Sequence, residues 1–247
     1  MKIVAADASS LKFSIDAIAS LVEEGIFEIT NTGIHLKAID PSQISMISFI
    51  MPKESFLEYE INEERKIGLD IEQLSNVLSR GTKTERAELE IEDGRFVIKF
   101  VGEKKKRTFK IQILDIGEGI QKEPRLESGN FVKINASTLK EILKDAKLIS
   151  SHIRFLLSAN YFIAEVNGDS GDVHAEFEKN SAEIIEIKTT NDIRATFPLQ
   201  YLEDIIKASP NNEIITMYLE TDKPLKVEYN ILGTEVKYYL APRIESE

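Results

Sequence analysis

The three histidines have the widest chemical repertoire in this chain, because a histidine can bind a metal or transfer a proton near neutral pH. They are His35, His152 and His174, and none stands in a metal-binding spacing such as H-E-x-x-H. The sequence contains no cysteine, which excludes thiolate zinc sites, disulfides and cysteine nucleophiles. It also lacks the P-loop, G-x-G-x-x-G and G-x-S-x-G motifs. We therefore predict a protein without catalytic residues, metal or cofactor.

Lysines on the predicted helix at residues 137–149 form the clearest charged pattern. At about 100° per residue, Lys140, Lys144 and Lys147 share one stripe, and the leucines share another. Such a stripe suits a polyanion, although an ordinary solvated face would have the same pattern. The four predicted helices together carry six acidic and six basic residues, so the net charge of −11 lies outside them. The basic residues are Lys12, Arg80, Lys140, Lys144, Lys147 and Lys207.

The overall charge and hydropathy limit the class of protein. A net charge of −11 argues against a chain that coats nucleic acid over its whole surface, since backbone binding needs a basic footprint. No apolar run approaches the roughly 20 residues of a membrane helix, and the N-terminus has no secretory signal pattern. We expect a soluble intracellular protein.

Periodicity predicts the elements that position these residues. Helical spacing of apolar residues predicts helices at residues 8–22, 71–80, 137–149 and 199–208, the first capped by Ser9 or Ser10. Alternation in the first half predicts strands at residues 27–29, 34–38, 44–50, 66–69, 87–92, 95–101 and 108–114. In the second half it predicts strands at residues 153–157, 161–166, 173–177, 183–188, 214–220, 225–229 and 235–240.

The two halves repeat each other at an offset of 128 residues. ASSLK at residues 8–12 returns as ASTLK at residues 136–140, and the apolar positions of later elements coincide as well. The coinciding pairs are Leu11 and Leu139, Phe27 and Phe155, Leu74 and Leu202, Val77 and Ile205, and Leu78 and Ile206. We infer an internal duplication rather than chance similarity. We predict domains at residues 1–114 and 131–247, joined by a connector at residues 115–130.

Three segments of the sequence carry a family resemblance. They are LKAIDPSQISMISFIMP (residues 36–52), LDIEQLSNVLSR (residues 69–80) and PLKVEYNILGTEVKYYLAPRIE (residues 224–245). The chain resembles DNA sliding clamps of the archaeal and eukaryotic type, the proliferating cell nuclear antigen family, with the archaeal branch favoured. The resemblance implies an α+β fold of two tandem clamp domains and a trimeric ring. Antiparallel sheets would form its outer shell, and helices would line a channel around duplex DNA.

The resemblance also implies roles for particular residues. The six basic helix residues would face DNA without reading its sequence, and each contact would be weak enough to allow sliding. DNA polymerase, clamp loader, flap endonuclease and DNA ligase would insert short peptides into a pocket beside the connector. The matching pocket positions are Ile39, Asp40, Gln43, Ile44, Met46, Ile116, Ile120, Pro224, Tyr239, Ala241, Pro242 and Arg243. Plain strand-end packing would also explain Pro224 and Tyr239, but with the resemblance we favour the pocket.

Ring closure in the family pairs an edge strand of one chain with an edge strand of the next, which is a heterologous contact. The matching segments are residues 108–114 and 173–177, with Thr108, Phe109, Ile111, Ile113, Val173, His174, Ala175 and Phe177 as candidate interface residues. The sequence leaves a homotrimer and one subunit of a mixed ring equally open. It also leaves open a checkpoint-type clamp of the same fold and a metal-dependent enzyme on an α+β scaffold.

Overall fold

The computed structural model describes residues 1–117, 122–124, 129–169 and 171–244. The chain divides into two compact units. The first unit comprises Met1–Pro41, Ile47–Lys122 and Asn230–Val236. The second unit comprises Ser42–Met46, Glu123–Tyr229 and Lys237–Glu247. Each unit therefore includes a short segment from the other half of the sequence.

The N-terminal half contains nine strands and two helices. Its helices are α1 (Ala8–Ala19) and α2 (Ile71–Leu78). Its strands are β1 (Lys2–Ala5), β2 (Glu24–Thr30), β3 (Gly33–Ile39), β4 (Ser45–Pro52), β5 (Glu58–Glu60), β6 (Arg65–Asp70), β7 (Arg86–Glu92), β8 (Arg95–Val101) and β9 (Lys106–Gln112). The strand orders are β5-β1-β7-β8-β9 and β4-β3-β2-β6, and the pairs with a described register are antiparallel.

The C-terminal half repeats this plan. Its helices are α3 (Ala136–Lys147) and α4 (Leu199–Lys207). Its strands are β10 (Phe131–Asn135), β11 (His152–Leu157), β12 (Tyr161–Gly168), β13 (Gly171–Glu178), β14 (Ile184–Lys188), β15 (Ile193–Pro198), β16 (Ile214–Tyr218), β17 (Leu225–Ile231) and β18 (Thr234–Leu240). The strand orders β14-β10-β16-β17-β18 and β13-β12-β11-β15 match those of the first half, strand for strand. The structure thus confirms the predicted duplication.

The first helix begins one residue earlier than the predicted cap. Asp7 is the N-cap: its carboxylate accepts hydrogen bonds from the Ser9 backbone N at 2.8 Å and from Ser9 Oγ at 2.6 Å. The prediction of Ser9 or Ser10 as the cap is therefore wrong, because a carboxylate preceding two serines accepts the first-turn N–H itself. Ser10 Oγ instead donates to the Asp7 carbonyl oxygen. At the other end the helix stops at Ala19, three residues before the predicted end.

Four strands were not predicted from the sequence: β1, β5, β10 and β15. In β1 and β15 three consecutive residues are buried, and in β5 no residue is buried, so these three strands show no alternation. β10 does alternate between buried and half-buried residues and was missed nonetheless. The predicted strand at residues 108–114 is displaced. It runs as Lys106–Gln112, and the chain then crosses to β6, where the Leu114 backbone N donates to the Gly68 carbonyl at 2.9 Å.

Each unit has its own apolar core beneath its helix pair. In the first unit, Leu11 and Ile15 of α1 and Leu74 and Leu78 of α2 are buried and line a small internal cavity together with strand residues such as Phe27. In the second unit, Phe155 packs between Phe162 and Phe197 with ring centroids 5.4 and 6.1 Å apart. The helices thus bury one face and present the other, where the candidate lysines lie.

Among the residues that the structure describes, no helix is long and apolar enough to cross a membrane.

Candidate functional site

The helix pair of the second unit brings four of the predicted lysines together. Lys140, Lys144 and Lys147 of α3 and Lys207 of α4 line one shallow surface depression. Glu203 and Asp204 of α4 line the same depression, and Glu203 forms an ion pair with Lys147 at 2.7 Å. We call this surface the lysine depression. It combines an excess of positive charge with nearby carboxylates that moderate it.

Lys140 differs from the other lysines of the depression because it is half-buried and anchored. Its Nζ donates to the Ser209 carbonyl oxygen at 2.6 Å and to Asn211 Oδ1 at 3.0 Å, just beyond the end of α4. Burial lowers the pKa of Lys140 below its ordinary value, and the neighbouring Lys144 lowers it further. Lys140 therefore acts first as a brace between α3 and the end of α4, whereas Lys144 and Lys207 are exposed.

The helix pair of the first unit carries less available positive charge. Lys12 forms an ion pair with Asp16 one turn later on α1, and Asp16 also accepts a hydrogen bond from Ser75 of α2 at 2.9 Å. Arg80 is exposed and follows the end of α2. A groove beside it is lined by Asp70, Glu72, Gln73, Asn76, Val77, Arg80 and Phe109. This face is therefore nearly neutral.

Two of the predicted pocket segments of the second unit are joined at the C-terminal tail. The Ala241 backbone N donates to the Ile44 carbonyl oxygen at 2.9 Å, which joins the tail to the loop before β4. Gln43 in that loop is exposed and has a left-handed φ of 59°. Pro224, Ala241 and Pro242 are half-buried, and Arg243 is exposed. Met46, by contrast, is only 5% exposed and is part of the buried core.

Tyr239 links β18 to Glu123. Its hydroxyl donates to Glu123 Oε2 at 2.8 Å. Burial raises the pKa of Tyr239 well above its ordinary value, and the hydrogen bond to the Glu123 carboxylate raises it further, so the phenol stays neutral. The tyrosine therefore serves as a hydrogen-bond donor that holds Glu123 against β18.

The remaining pocket candidates belong to the first unit. Ile39, at the end of β3, is 37% exposed, whereas Asp40 is buried. Ile116 is half-buried and packs closely against Gly68 of β6. Its Cγ1 atom lies 2.8 Å from the position that a Cβ atom would take at residue 68. Ile120 lies outside the residues that the structure describes.

Seven of the eight candidate interface residues lie on two edge strands, β9 and β13. On β9, Thr108 is exposed and Phe109 is half-buried against Phe100, but the side chain of Ile111 is 2% exposed and points into the core. Ile113 lies beyond the end of the strand. On β13 the half-buried residues are Val173, Ala175 and Phe177, and His174 is exposed on the other face.

Comparison with known proteins assigns the family. The family model for the N-terminal domain of proliferating cell nuclear antigen matches residues 2–118, and the model for its C-terminal domain matches residues 122–244. The chain belongs to the proliferating cell nuclear antigen family. The predicted resemblance and the predicted fold class, two tandem clamp domains, are both confirmed.

Named relatives span nearly the full chain. A protein of Methanococcus vannielii named DNA polymerase sliding clamp is 35% identical over 236 residues, which is 94% of both chains. A protein of Pyrobaculum aerophilum named DNA polymerase sliding clamp 1 is 34% identical over 241 residues, covering 97% of this chain and 96% of its own. The solved structure of the C-terminal region of FEN-1 bound to A. fulgidus PCNA is 27% identical with a TM-score of 0.89, covering 100% of this chain and 99% of that one.

A second solved structure supports the fold alone. PCNA from Thermococcus kodakaraensis superimposes with a TM-score of 0.92 at 22% identity, covering 98% of this chain and 99% of that one. The fold is thus retained where most side chains differ, so the sites on this member of the family must be judged from its own residues.

Sequence reasoning missed the residues that restrain the candidate sites. Asp16 holds Lys12 and itself accepts a hydrogen bond from Ser75. Ser209 and Asn211 hold Lys140, and Glu123 holds Tyr239. Only the Lys12–Asp16 pair had a sequence signal, since residues four apart on a helix are neighbours. The other partners are distant along the chain and required the fold.

Proposed function

We propose that this chain is a DNA polymerase sliding clamp, a non-catalytic ring subunit that encircles duplex DNA and tethers replication and repair proteins to it. The observation that carries the proposal is the match of both halves to the two proliferating cell nuclear antigen domains, over a duplicated fold. Full-length relatives named as sliding clamps support it.

We assign the DNA-facing role chiefly to the lysine depression. Lys144 and Lys207 are exposed, and Lys147 shares its charge with Glu203. Charges moderated in this way attract phosphates weakly and without sequence preference, as a sliding protein requires. Lys140, Lys12 and Arg80 contribute less, because the two lysines are engaged within the protein and Arg80 lies in an acidic, polar groove.

We assign partner binding to the surface around the C-terminal tail. In the second unit it is formed by Gln43, Ile44, Pro224, Ala241, Pro242 and Arg243, above the buried Met46 and Tyr239. By resemblance, Ile39, Asp40 and Ile116 of the first unit and Ile120 of the connector contribute to the same role. Half-buried apolar side chains beside a polar rim suit the aliphatic and aromatic anchors of a short peptide. The FEN-1 complex of the related structure supports a flap endonuclease as one partner, with polymerase, ligase and clamp loader as the others.

We further propose that residues 115–130 connect two clamp domains at residues 1–114 and 131–247, and that β9 and β13 close the ring. Three chains of two domains would complete it.

The decisive experiment is DNA synthesis on primed circular and linear templates with an archaeal polymerase and clamp loader. A topological tether should increase product length on the circle and on a linear template with blocked ends. It should lose that effect on a linear template with open ends, because a ring slides off. Equal stimulation on open and blocked ends would refute encirclement, and absence of stimulation on the circle would refute the clamp function.

The tail surface is tested by titration of a peptide with a glutamine, an aliphatic residue and two adjacent aromatic residues. Ile44→Ala with Pro242→Ala should weaken binding by about tenfold or more, since truncated hot-spot anchors often cost above about 1 kcal/mol each. Leu148→Ala, at a position 80% exposed and remote in sequence from the tail, is the matched control. Unchanged affinity of the double variant would show that the peptide binds at another surface.

A further inference from the structure

Three arginines and a histidine of the second unit share one face of the sheet β13-β12-β11-β15, beside the C-terminal tail. Arg154 of β11 lies opposite Thr196 of β15, and Arg243 of the tail forms a β-bridge with Thr196 from the other side. Residues directly opposite each other in an antiparallel pair point to the same face of the sheet, as do residues two apart on one strand. Arg154 and Arg243 therefore share a face with Arg194 of β15 and His152 of β11. We call these four side chains the arginine cluster.

The face that carries the arginine cluster is turned away from the apolar core. On β11, Ile153 is buried, whereas His152 and Arg154 on either side of it are half-buried. Arg194 and Arg243 are exposed. The guanidinium groups can therefore be reached by a molecule in solution.

Two of the three arginine charges have no counter-charge close by. Arg154 Nη1 lies 3.2 Å from Glu165 Oε1 on the neighbouring strand β12. Within the part of the chain that the structure describes, neither Arg194 nor Arg243 forms an ion pair. Three arginines and one glutamate leave two positive charges on this face, with the histidine neutral.

His152 orients one of these two arginines. Arg243 Nη1 lies 3.4 Å from His152 Nδ1, and Ser151 Oγ lies 2.9 Å from the same nitrogen. A guanidinium can only donate hydrogen bonds, so Nδ1 is the acceptor in this contact. Burial lowers the pKa of His152, and the charge of Arg243 lowers it further, which keeps the ring neutral. Arg243 thus reaches across β15 toward β11 and lies over the same face as Arg154.

The first unit has no counterpart of the arginine cluster. Its strands β2 and β6 pair in the same relative register as β11 and β15. The four equivalent positions hold Glu24, Ile26, Lys66 and Leu114. Lys66 is the one base among them, and it forms an ion pair with Glu28. The excess of positive charge is therefore particular to the unit that carries the C-terminal tail.

The arginine cluster adjoins the tail surface proposed to bind partner peptides. Arg243 directly follows Ala241 and Pro242 of that surface. His152 lies opposite Pro198, four residues from Arg194 along β15, so the cluster extends over about 13 Å at about 3.3 Å per residue. Arginine forks match the geometry of carboxylates. Because the chain as a whole carries a net charge of −11, an acidic segment is attracted here and repelled by most of the remaining surface.

We propose that the arginine cluster binds an acidic segment of about four extended residues, which flanks the apolar and aromatic anchors of a partner peptide. The proposal rests on the proposed tail surface and names the chemistry of the partner that binds there. It requires carboxylates on the peptide and contacts that weaken as salt screens them.

The test titrates labelled peptides that share a glutamine, an aliphatic residue and two adjacent aromatic residues. Each peptide carries a run of glutamates, glutamines or lysines at one end, and both ends are compared. At one of the two ends, glutamates should tighten binding by about three- to tenfold over glutamines at low salt, because several weak exposed ion pairs form together. Lysines at that end should weaken it, and both differences should shrink as salt rises.

Variants of the cluster identify the side chains responsible. The measured quantity is the ratio of the affinities for the glutamate and glutamine peptides, so a general loss of binding does not count as support. Arg194→Gln should bring this ratio close to one, and Arg194→Glu should make the lysine peptide bind more tightly than the glutamate peptide. Lys66→Gln, at the equivalent position of the first unit, is the matched control and should keep the wild-type ratio.

Three results would overturn the proposal. The first is equal affinity of the wild-type chain for the glutamate and glutamine peptides at both ends, and the second is a wild-type ratio in both Arg194 variants. The third is loss of affinity for a short DNA duplex in Arg194→Gln, which would assign the cluster to DNA. Absence of binding by every peptide would refute the tail surface together with its acidic flank. Equal binding of the glutamate and glutamine peptides would refute only the flank and leave the tail surface standing.

Discussion

The helix faces of the two units share one backbone plan but differ in charge. In the second unit, Lys144, Lys147 and Lys207 gather in one depression. In the first unit, Lys12 is paired with Asp16, and the groove beside Arg80 is lined mostly by acidic and amide side chains. Phe13 of α1 is 47% exposed at the position that Glu141 occupies in α3. Duplication has thus preserved the elements while the surfaces diverged.

This difference shows where DNA attraction is concentrated if the chain is a clamp. A ring of identical chains would alternate strongly and weakly positive helix pairs around its channel. Since solvated charges are screened over about 8–10 Å at physiological salt, the second unit should hold DNA more often than the first. Matched substitutions in the two units separate their contributions, and the largest effect is expected from the packing of the first unit.

Gly68→Ala should destabilise the first unit by about 1–3 kcal/mol, as overpacking typically does. An added Cβ would lie 2.5 Å from the Leu114 carbonyl oxygen. The equivalent residue of the second unit is Thr196, which forms a β-bridge with Arg243 although it carries a side chain. The segment that contains Leu114 therefore approaches its strand in a way that requires glycine, whereas the segment that contains Arg243 does not. Denaturant unfolding measures the effect. Gly117→Ala, where a Cβ meets nothing within 4 Å, is the control, and equal midpoints for the two variants would contradict the packing argument.

Asp7→Ala should cost about 1 kcal/mol, because it removes the cap of α1. Asn135 occupies the same position before α3, but its side chain donates to the Ala182 carbonyl oxygen and makes no cap bond. Asn135→Ala should therefore cost less, about 0.5 kcal/mol. Urea unfolding of both variants checks the order, and a larger loss for Asn135→Ala would reverse our account of the two helix starts.

Lys140→Met should lower the free energy of unfolding by about 1 kcal/mol, since two acceptors lose a donor while the apolar stem is retained. Lys144→Met should change it by less than about 0.5 kcal/mol, as is usual for an exposed position. Thermal unfolding of the matched pair distinguishes a bracing lysine from a solvent-facing one. Equal melting temperatures would show that the Lys140 contacts contribute nothing to stability.

Replacing Lys144, Lys147 and Lys207 together by alanine should have the smallest effect per residue of the substitutions considered. Each exposed charge contributes little to the attraction of DNA. We expect polymerase stimulation to fall about two- to fivefold at low salt, with the gap to wild type closing as salt screens the charges. Lys12→Ala with Arg80→Ala should have a weaker effect. Trimer mass and peptide binding are confirmed first. Unchanged stimulation at every salt concentration would mean that the depression is only a solvated surface.

Much of the architecture could be predicted from the sequence because it depends on local patterns. Helical spacing located all four helices, and the 128-residue offset placed equivalent strands together. The strands β1, β5 and β15 escaped prediction because their burial does not alternate along the strand, and β10 was missed although its burial does. The interface candidates of the first half lie on or just after the edge strand β9, but Ile111 faces the core and Ile113 falls outside the strand. Which face of an edge strand is covered depends on the elements that the fold packs against it, so the candidate list alone could not separate core-facing from exposed residues.

The sequence by itself determined the duplication, the helix faces and the charge of each face, because these follow from the order of residues within single elements. Only the tertiary structure decided which charges are available. Lys140 and Lys144 look alike on a helical stripe, but Ser209 and Asn211, far along the chain at separations of 69 and 71 residues, hold Lys140 and leave Lys144 exposed. A hydrogen bond between distant residues depends on where the fold brings their backbones, and no local pattern encodes that distance.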